Sequence, residues 1–182
     1  MSNPTIQDVR TLCTSIGAAV ITCQMAENLI NLSLQWLFPK EPVRTVEMLQ
    51  QLEEQHRRKA LGQFIRALRD RVGLAAKFYE LLGDFLEHRN TLVHDLGRVD
   101  GHTFTSLDGF QRMNAYANQV ANEALRLTEI FAAFIDSWTE QVGMRDKLCA
   151  EQPDVYDSSF FKDIRQKITP FLDDLVHKKP HA

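Results

Sequence analysis

The chain has 182 residues, of which 44% are hydrophobic and 25% charged, and its formal net charge is −3. This length suits one domain with a real core, and the composition excludes wholesale disorder. The three cysteines lack CxxC spacing, no long uninterrupted apolar run occurs, and no basic region precedes an apolar one at the start, so we expect a cytoplasmic protein without a membrane partner.

Helical periodicity begins near Thr5 and defines a first helix with two apolar stripes. One stripe contains Val9, Leu12, Cys13, Ile16, Ala19, Val20 and Cys23, and the other contains Ile21, Met25, Leu29, Leu32 and Trp36. Because apolar residues on more than one side are typical of a buried helix, we expect this helix to lie between neighbours. Two prolines, Pro39 and Pro42, cannot continue the hydrogen-bond ladder and predict its end.

Five further helical segments follow in the pattern, with a single loop of any length between them. They run roughly from Thr45 to Lys59, Leu61 to Val72, Leu74 to Leu96, Asp108 to Arg145, and Phe160 to Ile168, with Thr169-Pro170 opening a last turn. In the loop after Gly97, Asp100-Gly101 leaves a small hairpin open as an alternative. The fold class is therefore all-α, and we expect residues 1–182 to form a single domain, a four-helix-type bundle with one or two accessory helices.

Positive charge is concentrated between His56 and Lys77, where the sequence has seven Lys or Arg residues and a single acidic residue, Asp70. The first three of these cations are Arg57, Arg58 and Lys59. A basic segment in a mildly acidic chain can bind a polyanion such as RNA. It can equally be the solvated face of a helix.

A polar cluster interrupts the apolar stripe at the end of the helix before the loop. Arg89 is in register with that stripe, and Asn90 lies four residues before His94, so those two share a helix face. Arg89 and His94 are five residues apart, roughly 140° around the axis, a gap that the long arginine can close if the helix end loosens. Since the helix macrodipole favours cations in a last turn, an arginine and a histidine there need no catalytic role.

The segment Arg89-Asn90-Thr91-Leu92-Val93-His94 resembles the R-N-x-x-x-H motif of HEPN domains, which are compact helical bundles in RNA-cleaving toxins and anti-phage effectors. The resemblance implies a metal-independent endoribonuclease without a cofactor, whose active site is completed across a homodimer. In such a site His94 is the general acid or base, Arg89 binds the scissile phosphate and Asn90 helps to hold both. It also implies a toxin or effector of a bacterial defence or toxin–antitoxin system, with a neutralising antitoxin protein as partner. Many HEPN toxins carry tyrosine where this chain has Leu96.

Other residues are candidates for supporting roles around this motif. Glu27 is a carboxylate in the stripe of the first helix, where it could neutralise Arg89 or lie partly exposed at the helix edge. Arg98 and His102 follow the motif and are candidates for RNA binding, and His88 precedes it; each histidine can also be an incidental surface residue. Two alternatives stay open: a non-catalytic HEPN-like module that binds nucleic acid, nucleotide or a protein, and a structural bundle with a chance motif.

Overall fold

The structure, a computed structural model, describes residues 3–37, 61–156 and 158–178. Within these ranges the chain is mostly helical, which confirms the predicted all-α class. The helices are α1 (Ile6–Trp36), α2 (Leu61–Arg71), α3 (Ala76–His94), α4 (Leu107–Gln141), α5 (Arg145–Glu151), α6 (Pro153–Tyr156), α7 (Ser159–Lys167) and α8 (Leu172–Leu175), with 3-10 turns at Leu96–Arg98 and Thr169–Phe171. The helix predicted between Thr45 and Lys59 lies outside the described residues.

Helix α1 begins at a reciprocal cap made by Thr5 and Asp8. The Asp8 carboxylate accepts hydrogen bonds from the Thr5 amide and hydroxyl at 2.7 and 2.6 Å, and the Asp8 amide donates to Thr5 Oγ1 at 3.3 Å. These bonds satisfy amide groups that have no partner inside the helix. The same hydrogen bonds from Thr5 lower the pKa of Asp8 below 3.8.

Only one face of α1 is buried, so the expectation of a helix covered on more than one side is wrong. Its buried residues follow a single helical stripe: Leu12, Ala19, Cys23, Ala26, Ile30 and Leu34. On the second predicted stripe, Ile21 is 61% exposed and Met25 is 50% exposed. Over Ile6–Leu34 the helix is long and apolar enough to cross a membrane by length and composition alone, a test that core helices of soluble proteins also pass.

Local signals set both ends of the long helix α4. Before it, the Ser106 hydroxyl accepts a hydrogen bond from the Gly109 amide at 3.2 Å, as an N-cap residue does. Gly109 is required there because a Cβ atom would lie 2.4 Å from the Thr103 backbone oxygen. After it, Gly143 takes a left-handed conformation (φ +69°), and the Met144 amide reaches back to the Thr139 carbonyl at 2.8 Å. This is the Schellman pattern that ends many helices at glycine.

Two three-residue strands, β1 (Val72–Leu74) and β2 (Val176–Lys178), pair antiparallel, with Gly73 opposite His177. The sequence pattern did not predict this pairing, because three residues are too few to show alternation. The hairpin left open at Asp100-Gly101 is absent: Gly101 makes a turn with φ +66°, and no strand flanks it in residues 95–106.

The chain divides into two compact units, and α1, α3 and α4 each contribute residues to both. The first unit contains residues 1–26 and 80–127, and the second contains residues 27–79 and 128–182. In the first unit Leu12, Phe110 and Met113 form a buried cluster. In the second, the rings of Phe78, Phe131 and Phe134 lie with their centroids 5.9 to 6.4 Å apart.

Candidate active site

A cleft of about 990 Å³ lies in the first compact unit, between the end of α3 and the first half of α4. Its lining is mainly polar: Glu87, His88, Asn90, Thr91, His94, Asp95, Arg98, Val99, Asp100, Arg112, Ala115, Tyr116 and Gln119. A concave surface with several convergent polar groups is the usual form of a ligand or substrate site.

The three residues of the motif contact one another beside this cleft. The Arg89 guanidinium donates from Nη1 to Asn90 Oδ1 at 3.2 Å, and the same nitrogen lies 3.5 Å from His94 Nε2. Since a guanidinium can only donate, a hydrogen bond between these two atoms has His94 Nε2 as its acceptor. Helix α3 continues to His94, so the arginine spans the gap around the axis without any loosening of the helix.

A second histidine of the cleft is held by a carboxylate. His88 Nδ1 lies 3.0 and 2.8 Å from the two oxygens of Glu123, and the Gln119 amide donates to Glu123 Oε1 at 2.9 Å. Only 28% of the His88 side chain and 18% of the Glu123 side chain are exposed. Because the carboxylate is an acceptor, the proton of the imidazole lies on Nδ1, and Nε2 is the nitrogen available for other partners.

Tyr116 supports His88 from the neighbouring helix. Its hydroxyl donates to the His88 carbonyl oxygen at 3.2 Å, and its ring meets the imidazole edge-on with centroids 5.7 Å apart. Burial raises the pKa of Tyr116 above 10.0, although a hydrogen bond with Thr91 opposes the rise. The phenol therefore stays protonated at neutral pH and remains a hydrogen-bond donor.

Both cations in the lining are paired with carboxylates. Arg98 Nε lies 2.6 Å from Asp95 Oδ2, and Arg112 Nε lies 2.9 Å from Asp108 Oδ2. The hydrogen bond with Asp108 raises the pKa of the Arg112 guanidinium further above its usual value. With Glu87 and Asp100 also in the lining, the cleft is not a strongly basic surface.

The other candidate residues predicted from the sequence differ in their position relative to the cleft. Arg98 lines the cleft, whereas exposed His102 is not part of the lining, and its Nδ1 forms a hydrogen bond with the Val99 carbonyl oxygen, 3.1 Å away. Since a carbonyl only accepts, His102 is the donor there. Glu27 belongs to the second compact unit, and its pairing with Arg89 stays a prediction. The basic residues Arg57, Arg58 and Lys59 lie outside the described residues.

Sequence reasoning missed Glu123, Gln119 and Tyr116. These residues follow one another at spacings of three and four on α4, so they form a polar stripe beside the buried one. That stripe was visible in the sequence. The pairing of Glu123 with His88 was not visible, because these two residues are 35 positions apart in the chain.

No protein-family model, curated protein or solved structure matches the chain. Among the residues that the structure describes, no three His, Cys, Asp or Glu side chains are grouped so that they could hold a metal ion. A functional assignment therefore has to be argued from the cleft and its side chains.

Proposed function

We propose that the chain is a metal-independent endoribonuclease of the HEPN type, built as a four-helix-type bundle with accessory helices. The observation that carries this proposal is the contact of Arg89 Nη1 with His94 Nε2, 3.5 Å apart, with Asn90 and His94 both lining the cleft. A guanidinium and an imidazole are thus adjacent, and the imidazole lines a cleft that a polynucleotide could reach.

The chemistry needs few groups because RNA supplies its own nucleophile, the 2′-hydroxyl. Cleavage requires a proton acceptor for that hydroxyl, a proton donor for the leaving oxygen, and positive charge for the phosphorane. His94 Nε2 is the acceptor in this assignment. The forked guanidinium of Arg89 matches two phosphate oxygens, and the Asn90 contact at 3.2 Å limits its freedom.

The proposal includes a homodimer in the cytoplasm that acts as a toxin or effector and is neutralised by an antitoxin. Exposed apolar side chains on α1 support self-association: Ile6 is 75% exposed, Ile21 61% and Met25 50%. Exposed apolar side chains of this kind favour association with another protein surface. Light scattering on the purified chain tests this part, and a monomer at micromolar concentration would contradict it.

A second candidate function is a non-catalytic HEPN-like module that binds nucleic acid, nucleotide or a protein partner. The observation that favours it is the charge balance of the cleft, where Arg98 is paired with Asp95 and further carboxylates lie in the lining. A site that must attract a polyanion is usually richer in free positive charge.

One experiment separates the two functions. Purified chain, freed of any bound partner, is incubated with total RNA in EDTA, and the product ends are analysed. We expect cleavage that leaves 2′,3′-cyclic phosphate and 5′-hydroxyl ends, and a loss of about 10²- to 10⁴-fold in kcat for His94→Ala. Lys147→Ala is the control, because Lys147 is an exposed residue of the second compact unit and is not part of the cleft lining. Wild-type chain that binds RNA and leaves it intact would refute the ribonuclease and support the binding module.

A further inference from the structure

The cleft contains a second imidazole that the motif does not include. His88 lines the same cleft as His94, and Glu123 holds its Nδ1 with both carboxylate oxygens at 3.0 and 2.8 Å. In residues 3–37, 61–156 and 158–178, no hydrogen bond occupies His88 Nε2. An imidazole fixed at one nitrogen and open at the other is arranged for proton exchange with a ligand.

The support around this histidine exceeds what an incidental surface pair has. Gln119 holds the Glu123 carboxylate from a second side, and Tyr116 binds the His88 backbone and packs edge-on against its ring. Exposed ion pairs are generally worth little because both side chains must give up rotational freedom. Here the carboxylate is only 18% exposed, and three side chains of α4 orient one ring of α3.

We propose that His88 is a second catalytic residue, the general acid that protonates the leaving 5′-oxygen, and that Glu123 is its positioning residue. This inference rests on the proposed ribonuclease function and names the group that completes it. His88 and His94 are six residues apart on α3, a rise of about 9 Å along the axis. The acid and the base of one in-line displacement must both reach the same phosphodiester, and both histidines line the same cleft.

The step balances with these two groups alone. His94 Nε2 takes the proton of the 2′-hydroxyl as the bond from the 2′-oxygen to phosphorus forms. The bond from phosphorus to the 5′-oxygen breaks, and doubly protonated His88 gives its Nε2 proton to that oxygen. His88 ends neutral with Nδ1 still donating to Glu123, and His94 ends protonated. Exchange with water restores both.

The experiment compares RNA with the same RNA carrying a single bridging sulfur in place of the 5′-oxygen at the cleavage site. A thiolate leaves without a proton, so a substrate of this kind does not need the acid. We expect His88→Ala to slow cleavage of ordinary RNA by about 10²- to 10⁴-fold and to cleave the sulfur substrate within about tenfold of wild type. His94→Ala is slow on both substrates, because loss of the base affects both equally.

Two further variants separate chemistry from folding. Glu123→Gln should slow cleavage of ordinary RNA by about 10- to 100-fold, the usual effect of removing an orienting partner. The rate of cleavage of the sulfur substrate should be nearly unchanged. His88→Gln keeps a donor for Glu123 and serves if His88→Ala fails to fold. Circular dichroism confirms that each variant compared is folded.

The experiment distinguishes failure of the His88 acid assignment from failure of the proposed ribonuclease function. If wild-type chain cleaves RNA and His88→Ala matches it on ordinary RNA, the acid assignment is overturned and the ribonuclease stands. Equal slowing of folded His88→Ala and His88→Gln on both substrates also overturns the acid assignment. If wild-type chain cleaves neither substrate, both proposals fall together.

Discussion

Two carboxylates on α4 are used in opposite ways, Glu123 in the first compact unit and Asp136 in the second. The Asp136 side chain is 0% exposed, and its oxygens accept from Arg145 Nη2 at 2.7 Å and from Arg165 Nη2 and Nε at 2.9 and 3.1 Å. Glu123 has one histidine and one amide as partners beside an open cleft.

The difference lies in the partners and in the access of solvent. The hydrogen bond with Asp136 raises the pKa of Arg165 further above its usual value, so this guanidinium stays charged at every physiological pH. Histidine can gain and lose a proton near neutral pH, and His88 lines the cleft. A buried carboxylate between permanent cations stabilises a fold, whereas a half-buried one on a histidine can position a reactive group.

Substitution of the two carboxylates should therefore have opposite consequences, and the stability effect at Asp136 is the largest that we expect. Asp136→Asn removes the shared anion of two partly buried guanidiniums, although Arg145 keeps its pair with Glu140 at 2.8 Å. The substitution should lower the free energy of unfolding by about 3–5 kcal/mol. Glu123→Gln should lower it by less than about 1 kcal/mol. Urea denaturation at pH 7 measures both, and a larger loss at Glu123 would reverse the comparison.

Substitution of the arginines that pair with carboxylates should change the free energy of unfolding by an intermediate amount. Arg165→Met removes one of two cations from Asp136 and should cost about 1–3 kcal/mol, because part of a buried carboxylate is left unsatisfied. Arg98→Met is the matched control: Arg98 is 77% exposed in its pair with Asp95, and its loss should cost no more than about 0.5 kcal/mol. Added salt should weaken only the exposed pair. Equal losses in urea denaturation would contradict the assignment of Asp136 as the structural cluster.

The smallest expected effect concerns one tyrosine in each unit. Burial raises the pKa of both Tyr116 and Tyr156 above 10.0, so the folded chain holds these phenol protons to higher pH than the unfolded chain. Their contribution is complete below about pH 10 and is lost as pH rises above it. Tyr116→Phe and Tyr156→Phe should each reduce the fall in stability between pH 9 and 11, measured by urea denaturation. An unchanged fall in both variants would show that other groups cause it.

Much of the local architecture could be predicted because its causes lie close together in the chain. In the sequence Pro39 comes three residues after the last residue of α1, as expected of a residue that cannot continue a helix, and Gly143 follows the end of α4 in a left-handed conformation. The motif contact of Arg89 with His94 was predictable for the same reason, since both residues belong to one helix. The covered face of α1 was not, because hydropathy shows that a stripe is apolar and not whether a neighbour packs on it.

The amino-acid sequence by itself determined the long helices, with ends displaced by up to four residues, and a polar cluster whose members lie within six residues on α3. The short helices α5 and α6 did not show in its periodicity. Only the tertiary structure decided that His88 meets Glu123, 35 residues away, and that Arg165 meets Asp136, 29 residues away. Helical periodicity arises from the 3.6-residue turn, which relates positions within one helix. The choice of partner between helices depends on how their surfaces pack, and packing is a property of the folded chain as a whole.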